Sequence, residues 1–179
     1  MIQEIEKKMD KQQVEKRVRD WKKRVNELYS TIKVWLKDTE YSVKPGPKLK
    51  MYEELMYHYD VPAIDIETVD IYRNKNFVLA MKPKGLWIIG VNGGIEILST
   101  KGSYYLADSA EQFETPKWKL YRKDKDKKNG LELNENTFKE LLKQYYDQRN
   151  NIGHGGTFTI PIDIQDVISD MKQLYKDLK

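Results

Sequence analysis

The feature that most constrains this chain is a change of hydrophobic period near residue 60. Before it, apolar residues recur as they do on a helix; after it, they alternate as they do on strands. Val14, Val18, Trp21, Val25, Leu28, Ile32 and Trp35 follow one another at spacings of four and three, which sets them on one stripe of a long helix over 3–37. Charged residues fill its other faces. Two tryptophans are bulky for the narrow seam of a coiled coil, so the stripe is expected to pack on the molecule's own sheet. KPGP at 44–47 ends this part, because proline cannot continue a helix. A short second helix is expected over 48–58, with Leu49, Tyr52, Leu55 and Met56 inward and His58 structural or exposed at its end.

From residue 63 the period is two. AIDIETVDIYR, NFVLAMK, GLWIIGV, GIEILST and SYYLAD are short runs rich in β-branched and aromatic residues. The turn signals between them, at 74–76, 83–85, 92–94 and 101–102, leave no room for parallel crossovers. The expectation is therefore an antiparallel meander of about five strands. WKLYRK (118–123) adds an edge strand whose lysines guard it against aggregation. Asn134 or Thr137 caps a helix through FKELLKQYYDQR. IPIDIQDVISDMKQLYKDL then forms a last helix, with Ile164, Val167, Ile168, Met171, Leu174, Tyr175 and Leu178 inward. No internal repeat is visible. The fold class expected is α+β, as a single domain over 1–179 with a helical part at 1–60, an antiparallel sheet at 61–125 and a helical part at 130–179.

Composition narrows the chemistry. The chain has 179 residues, 39% of them hydrophobic and 34% charged, which suits a folded domain. Cysteine is absent, so disulfides, thiolate metal sites and cysteine nucleophiles are excluded, and a reducing cytoplasm is the expected compartment. The first residues lack the apolar core of a signal peptide, and no run reaches membrane-spanning length, so no membrane is expected as partner. The net charge of +4 is mild, but PKWKLYRKDKDKK (116–128) carries seven Lys/Arg against two Asp. KPGPKLK (44–50) adds three lysines. Such runs attract phosphates or simply remain solvated.

Several site types fail on spacing. GVNGGIEILSTKG has glycines but not the G-x-x-x-x-G-K-[ST] order, and it lies between strands rather than at a helix start. Asp65, Glu67 and Asp70 lack the E-x-K that metal-dependent nuclease chemistry would need, and a solvent-facing row is the simpler account. Two histidines without cysteine do not make a zinc site. No serine has an arguable histidine-and-acid context. No cofactor is expected.

One stretch carries a sharper signal. QRNNIGHGG (148–156) places His154 five residues after Arg149, with Asn150 directly after the arginine and Gly155 directly after the histidine. With an amphipathic helix on each side, residues 135–179 resemble the motif region of HEPN-domain proteins, whose ribonuclease members carry the form RN-x-[IV]-[AG]-H-G. Arg149, Asn150, Ile152, His154 and Gly155 match it position by position. The resemblance implies a helical-bundle fold and metal-independent RNA cleavage, with two protomers sharing a composite site. It casts His154 as proton-transfer group, Arg149 as the grip on the scissile phosphate, and Asn150 as an orienting group. A defence or toxin–antitoxin setting would suit this chemistry. The plain alternative is a helix ending, where Arg149 complements the dipole and the glycines make a loop. A competing function is a non-catalytic module in which exposed Trp118, Tyr104 and Tyr105, with Lys117, Lys119, Arg122 and Lys123, contact a nucleic acid or protein. A third is an antitoxin- or inhibitor-like protein that uses its long first helix.

Overall fold

The computed structural model of the chain describes residues 10–100, 102–122 and 130–147. The first helix, α1 (Lys11–Trp35), starts where Asp10 accepts a hydrogen bond from the Gln13 N–H at 2.9 Å. Val14, Val18, Trp21, Val25, Leu28 and Ile32 are buried, joined by Tyr29. Trp35 is half-buried and lies 6.1 Å from Phe138, ring to ring. The stripe thus faces one core, as its spacing requires.

Two strands follow α1, the second of them where a helix was expected to begin. β1 (Tyr41–Pro45) has no counterpart in the sequence reading, and β2 (Leu49–Met51) occupies the first turn of the expected second helix. Only α2 (Glu54–His58) is helical; Met56 is buried, Leu55 is partly buried and Tyr52 is exposed. The reason is pairing: β2 finds β3 (Ile64–Ile66), and the two form a small antiparallel sheet of their own. His58 is exposed, with its ring edge-on to Tyr59.

The remaining strands are β4 (Val69–Arg73), β5 (Asn76–Gly85), β6 (Gly94–Ser99), β7 (Gly102–Asp108), β8 (Trp118–Arg122) and β9 (Leu131–Glu132). They build a seven-stranded sheet in the order β1-β4-β5-β6-β7-β8-β9, antiparallel throughout. The meander is real, and it is wider than the expected five strands. AIDIETVDIYR divides between β3 and β4, so Asp65 belongs to the small sheet, while Glu67 leaves it to meet Lys48 at 3.2 Å. WKLYRK is not the edge, because β9 pairs on its far side. GLWIIGV forms no strand. Glu53 accepts from the Leu86 and Trp87 N–H groups at 2.8 and 3.2 Å, and Ile88 and Val91 close a turn that leaves Ile89 fully exposed.

The sheet's register sorts its side chains onto two faces. Val69, Ile71, Leu79, Met81, Ile95, Ile97, Leu106 and Leu120 share the inner face and are buried against the α1 stripe. The last described helix, α3 (Glu135–Asp147), packs on the same core through Phe138, Leu141, Leu142 and Tyr145. Asn134 caps it. Its side chain accepts from the Thr137 N–H at 3.0 Å, while its own N–H donates to the Thr137 hydroxyl at 2.9 Å. The chain divides into compact units at 1–149 and 150–179. Every element above belongs to the first; the expected helix over 160–178 lies outside the described residues.

Candidate functional site

Arg149, Asn150 and His154 lie outside the described residues, as does Lys123. What the structure describes is the helix that precedes the motif in the sequence. α3 ends at Asp147, two positions before Arg149 in the sequence. Near that end Tyr145 stands edge-on to Tyr104 at 6.0 Å, and Tyr104 Oη donates to Gln144 Oε1 at 3.2 Å. The Arg122 guanidinium lies over the Tyr104 ring, 5.8 Å from its centre. A groove runs alongside, lined by Leu120, Arg122 and Leu131 from the sheet and Thr137, Glu140 and Gln144 from α3. Burial pushes the Tyr145 phenol up to about 12, so it stays protonated and neutral at ordinary pH. Among the described residues, the groove brings together the Arg122 guanidinium, the Tyr104 ring and the Glu140 and Gln144 side chains.

The expected binding residues do not form one patch. Trp118, expected as an exposed aromatic, is half-buried and packs 6.0 Å from Trp21. The period-two alternation explains it. Trp118, Leu120 and Arg122 stand opposite Asp108, Leu106 and Tyr104 on the inner face, which turns Lys119 to the outer face. Lys117, Lys119 and Arg122 are exposed. Tyr104 and Tyr105 are both half-buried rather than exposed, and they point to opposite faces. Burial, helped by Glu96, raises the Tyr105 pKa.

The outer face has its own pattern. Tyr72 meets Phe77 edge-on at 5.8 Å with Lys44 4.6 Å above its ring, and Tyr105 pairs directly with Tyr121. Lys44, Lys82 and Lys119 share this face with Asp70, Glu96 and Glu132, so it is balanced in charge.

A buried ionic cluster is what sequence reasoning missed. Arg24 bonds Asp20 at 2.6 Å, Asp108 at 2.5 Å and the Glu114 carbonyl at 2.6 Å. Asp108, fully buried, also accepts from the Ala110 and Lys117 N–H groups at 3.0 and 2.9 Å. Arg17 lies buried one helical repeat earlier, and desolvation lowers its pKa. Both arginines follow a stripe residue by three positions, which was the available signal; the partner 84 residues away had none. With every strong donor and acceptor of the Arg24–Asp108 pair engaged inside the protein, its role is to tie α1 to the 109–117 loop.

No protein family, curated protein or solved structure matches the chain. Among the described residues no group of His, Asp or Glu is arranged to hold a metal, and no helix is long and apolar enough to cross a membrane.

Proposed function

We propose that the chain acts on RNA through the stretch that follows α3, with Arg149, Asn150 and His154 as the reacting group. The observation that supports this is the RNNIGHGG spacing at the end of a helix whose docking is firm, with Phe138 and Leu142 wholly buried. In this reading His154 takes the proton from a ribose 2′-hydroxyl, and the freed oxygen attacks the adjacent phosphorus. Arg149 binds the phosphate oxygens and stabilises the charge that develops on them, while Asn150 orients the phosphate or the imidazole. A second imidazole, from a two-fold partner, protonates the departing 5′-oxygen. The reading rests on the motif and not on the fold, since the described residues form a helix-covered sheet rather than a helical bundle.

The test is cleavage of a mixed RNA by the purified protein in the presence of a chelator, compared with His154→Ala and Arg149→Ala. Loss of cleavage in both, with an unchanged melting temperature, supports the reading. An inert wild type, or a fully active His154→Ala, sinks it. A second reading is favoured by the outer-face Tyr105–Tyr121 pair beside exposed Lys119, a small stacking surface with a cation. There the protein binds without cutting, His154→Ala is silent, and Tyr121→Ala with Lys119→Ala weakens retention of single-stranded RNA.

A further inference from the structure

On the side of α1 that meets the 109–117 loop, Arg17, Trp21 and Arg24 recur at spacings of four and three, and all three are buried. Arg24 is fully engaged, by Asp20, Asp108 and the Glu114 carbonyl. Arg17 is not. It is 7% exposed, and its Nη1 has no hydrogen-bond partner among the described residues. One turn further on, Trp21 is wholly buried, and its Nε1 likewise lacks an acceptor. Side chains on a helix lean towards its N-terminus, so the Trp21 indole covers the turn that carries Arg17.

Two unsatisfied donors on one side of one helix are costly. A buried polar group without a partner loses free energy, and a buried cation loses more. The charges that face Arg17 are Asp20, Arg24 and Asp108. Both carboxylates are bonded to Arg24, and Asp108 also holds the Ala110 and Lys117 N–H groups. They offset the charge of Arg17 without bonding to it. The adjoining loop is held in place. The Ser109 N–H donates to the Lys117 carbonyl at 2.9 Å, and Asn92 Nδ2 donates to the Glu111 carbonyl at 3.3 Å. Between these ties Phe113 has a φ of 66°, the left-handed region that a bulky side chain rarely occupies. Lys16, the residue before Arg17, places its Nζ 4.3 Å from the centre of that ring. Backbone strain held beside an unsatisfied cation is a combination that ligand sites show.

We propose that Arg17 and Trp21 bind one compact anion, a halide or an oxyanion such as phosphate. The Arg17 guanidinium and the Trp21 indole N–H donate to it, and Lys16 stands at the entrance. A bound anion gives both orphaned donors an acceptor while Asp20 and Asp108 continue to serve Arg24. Nothing in this site depends on the RNA reading.

The test runs at fixed pH and ionic strength, with sodium gluconate, whose anion is bulky, exchanged stepwise for sodium chloride or sodium phosphate. The chain has four tryptophans, and the one indole peak lost from the proton–nitrogen NMR spectrum in Trp21→Phe belongs to Trp21. In the wild type that peak should shift saturably with chloride, phosphate or both, and the response defines the class of anion the site takes. In Arg17→Met it should not move. Arg17→Met, which removes an unsatisfied buried cation, should also melt above the wild type in gluconate. That difference should shrink as the binding anion stabilises the wild type alone, because general salting acts on both proteins alike. A Trp21 peak that responds saturably to neither anion overturns the proposal. So does an Arg17→Met protein that melts below the wild type in gluconate, which would show that Arg17 is satisfied within the chain.

Discussion

The two faces of the seven-stranded sheet are made by the same strands, and neighbouring residues of one strand serve different ends. On β8, Leu120 is buried under the helices while Lys119, one residue earlier, is exposed on the far side. On β5, Met81 is fully buried while Lys82 faces outward opposite Glu96. The inner face is apolar and continuous with the α1 stripe; the outer face mixes tyrosines with charges of both signs. A run such as PKWKLYRK therefore reads as one basic-aromatic patch in sequence and resolves into two half-patches in space. Contact with a partner at Lys119 does not involve Trp118, and damage to Trp118 reports on the core.

The largest expected effect tests what anchors the inner side. Asp108→Ala leaves the Arg24 guanidinium buried beside the remaining Asp20 and strips two backbone N–H groups of their acceptor. Removing one partner of a buried ion pair typically costs about 3–5 kcal/mol, and urea unfolding should show a loss of that order. A loss below about 1 kcal/mol would mean that the cluster is wet and the 109–117 loop loosely held. Next comes the pair of neighbours on β8. Trp118→Ala opens a cavity against Trp21 and should cost about 3 kcal/mol, while Lys119→Ala should stay within about 0.5 kcal/mol. Equal costs at the two positions would break the distinction between the faces and show that the outer one is also covered.

The same contrast explains how much of the molecule was legible. Local pattern was enough for the α1 stripe, the antiparallel meander and a cap at Asn134 or Thr137, of which the structure selects Asn134, because each depends on residues close in sequence. β1 escaped because YSVKP contains a proline and two polar residues and is a strand only by its pairing with Val69–Arg73. GLWIIGV had the composition of a strand, but Glu53, more than thirty residues away, captures its backbone donors and holds it as a loop. The Arg24–Asp108 pair was beyond reach for the same reason. As for the site, the alternation in KWKLYR sets Trp118 and Lys119 on opposite faces, and the basic-aromatic composition of the run conceals it. The RNNIGHGG residues rest on the sequence alone, as they fall outside the described residues.

The smallest effect concerns α3, the helix that precedes the motif in the sequence. Burial raises the Tyr145 phenol from its usual value near 10 to about 12, and burial also raises Tyr29 and Tyr105. A phenol that ionises later in the folded state than in the unfolded one favours folding while both forms are protonated. Its contribution is complete below pH about 10, the unfolded value, and is lost as the pH rises through about 12. Stability should thus fall across that window as the unfolded chain releases protons that the native state retains. Tyr145→Phe keeps the ring against Tyr104 and removes one such phenol, so its decline with pH should be shallower than that of the wild type. Denaturant titrations at a series of alkaline pH values measure the two slopes. Equal slopes would show that Tyr145 ionises as freely in the folded protein as in the unfolded chain. α3 would then sit less tightly on the inner face than Phe138 and Leu142 require, and the helix would be a poor platform for any chemistry that follows it.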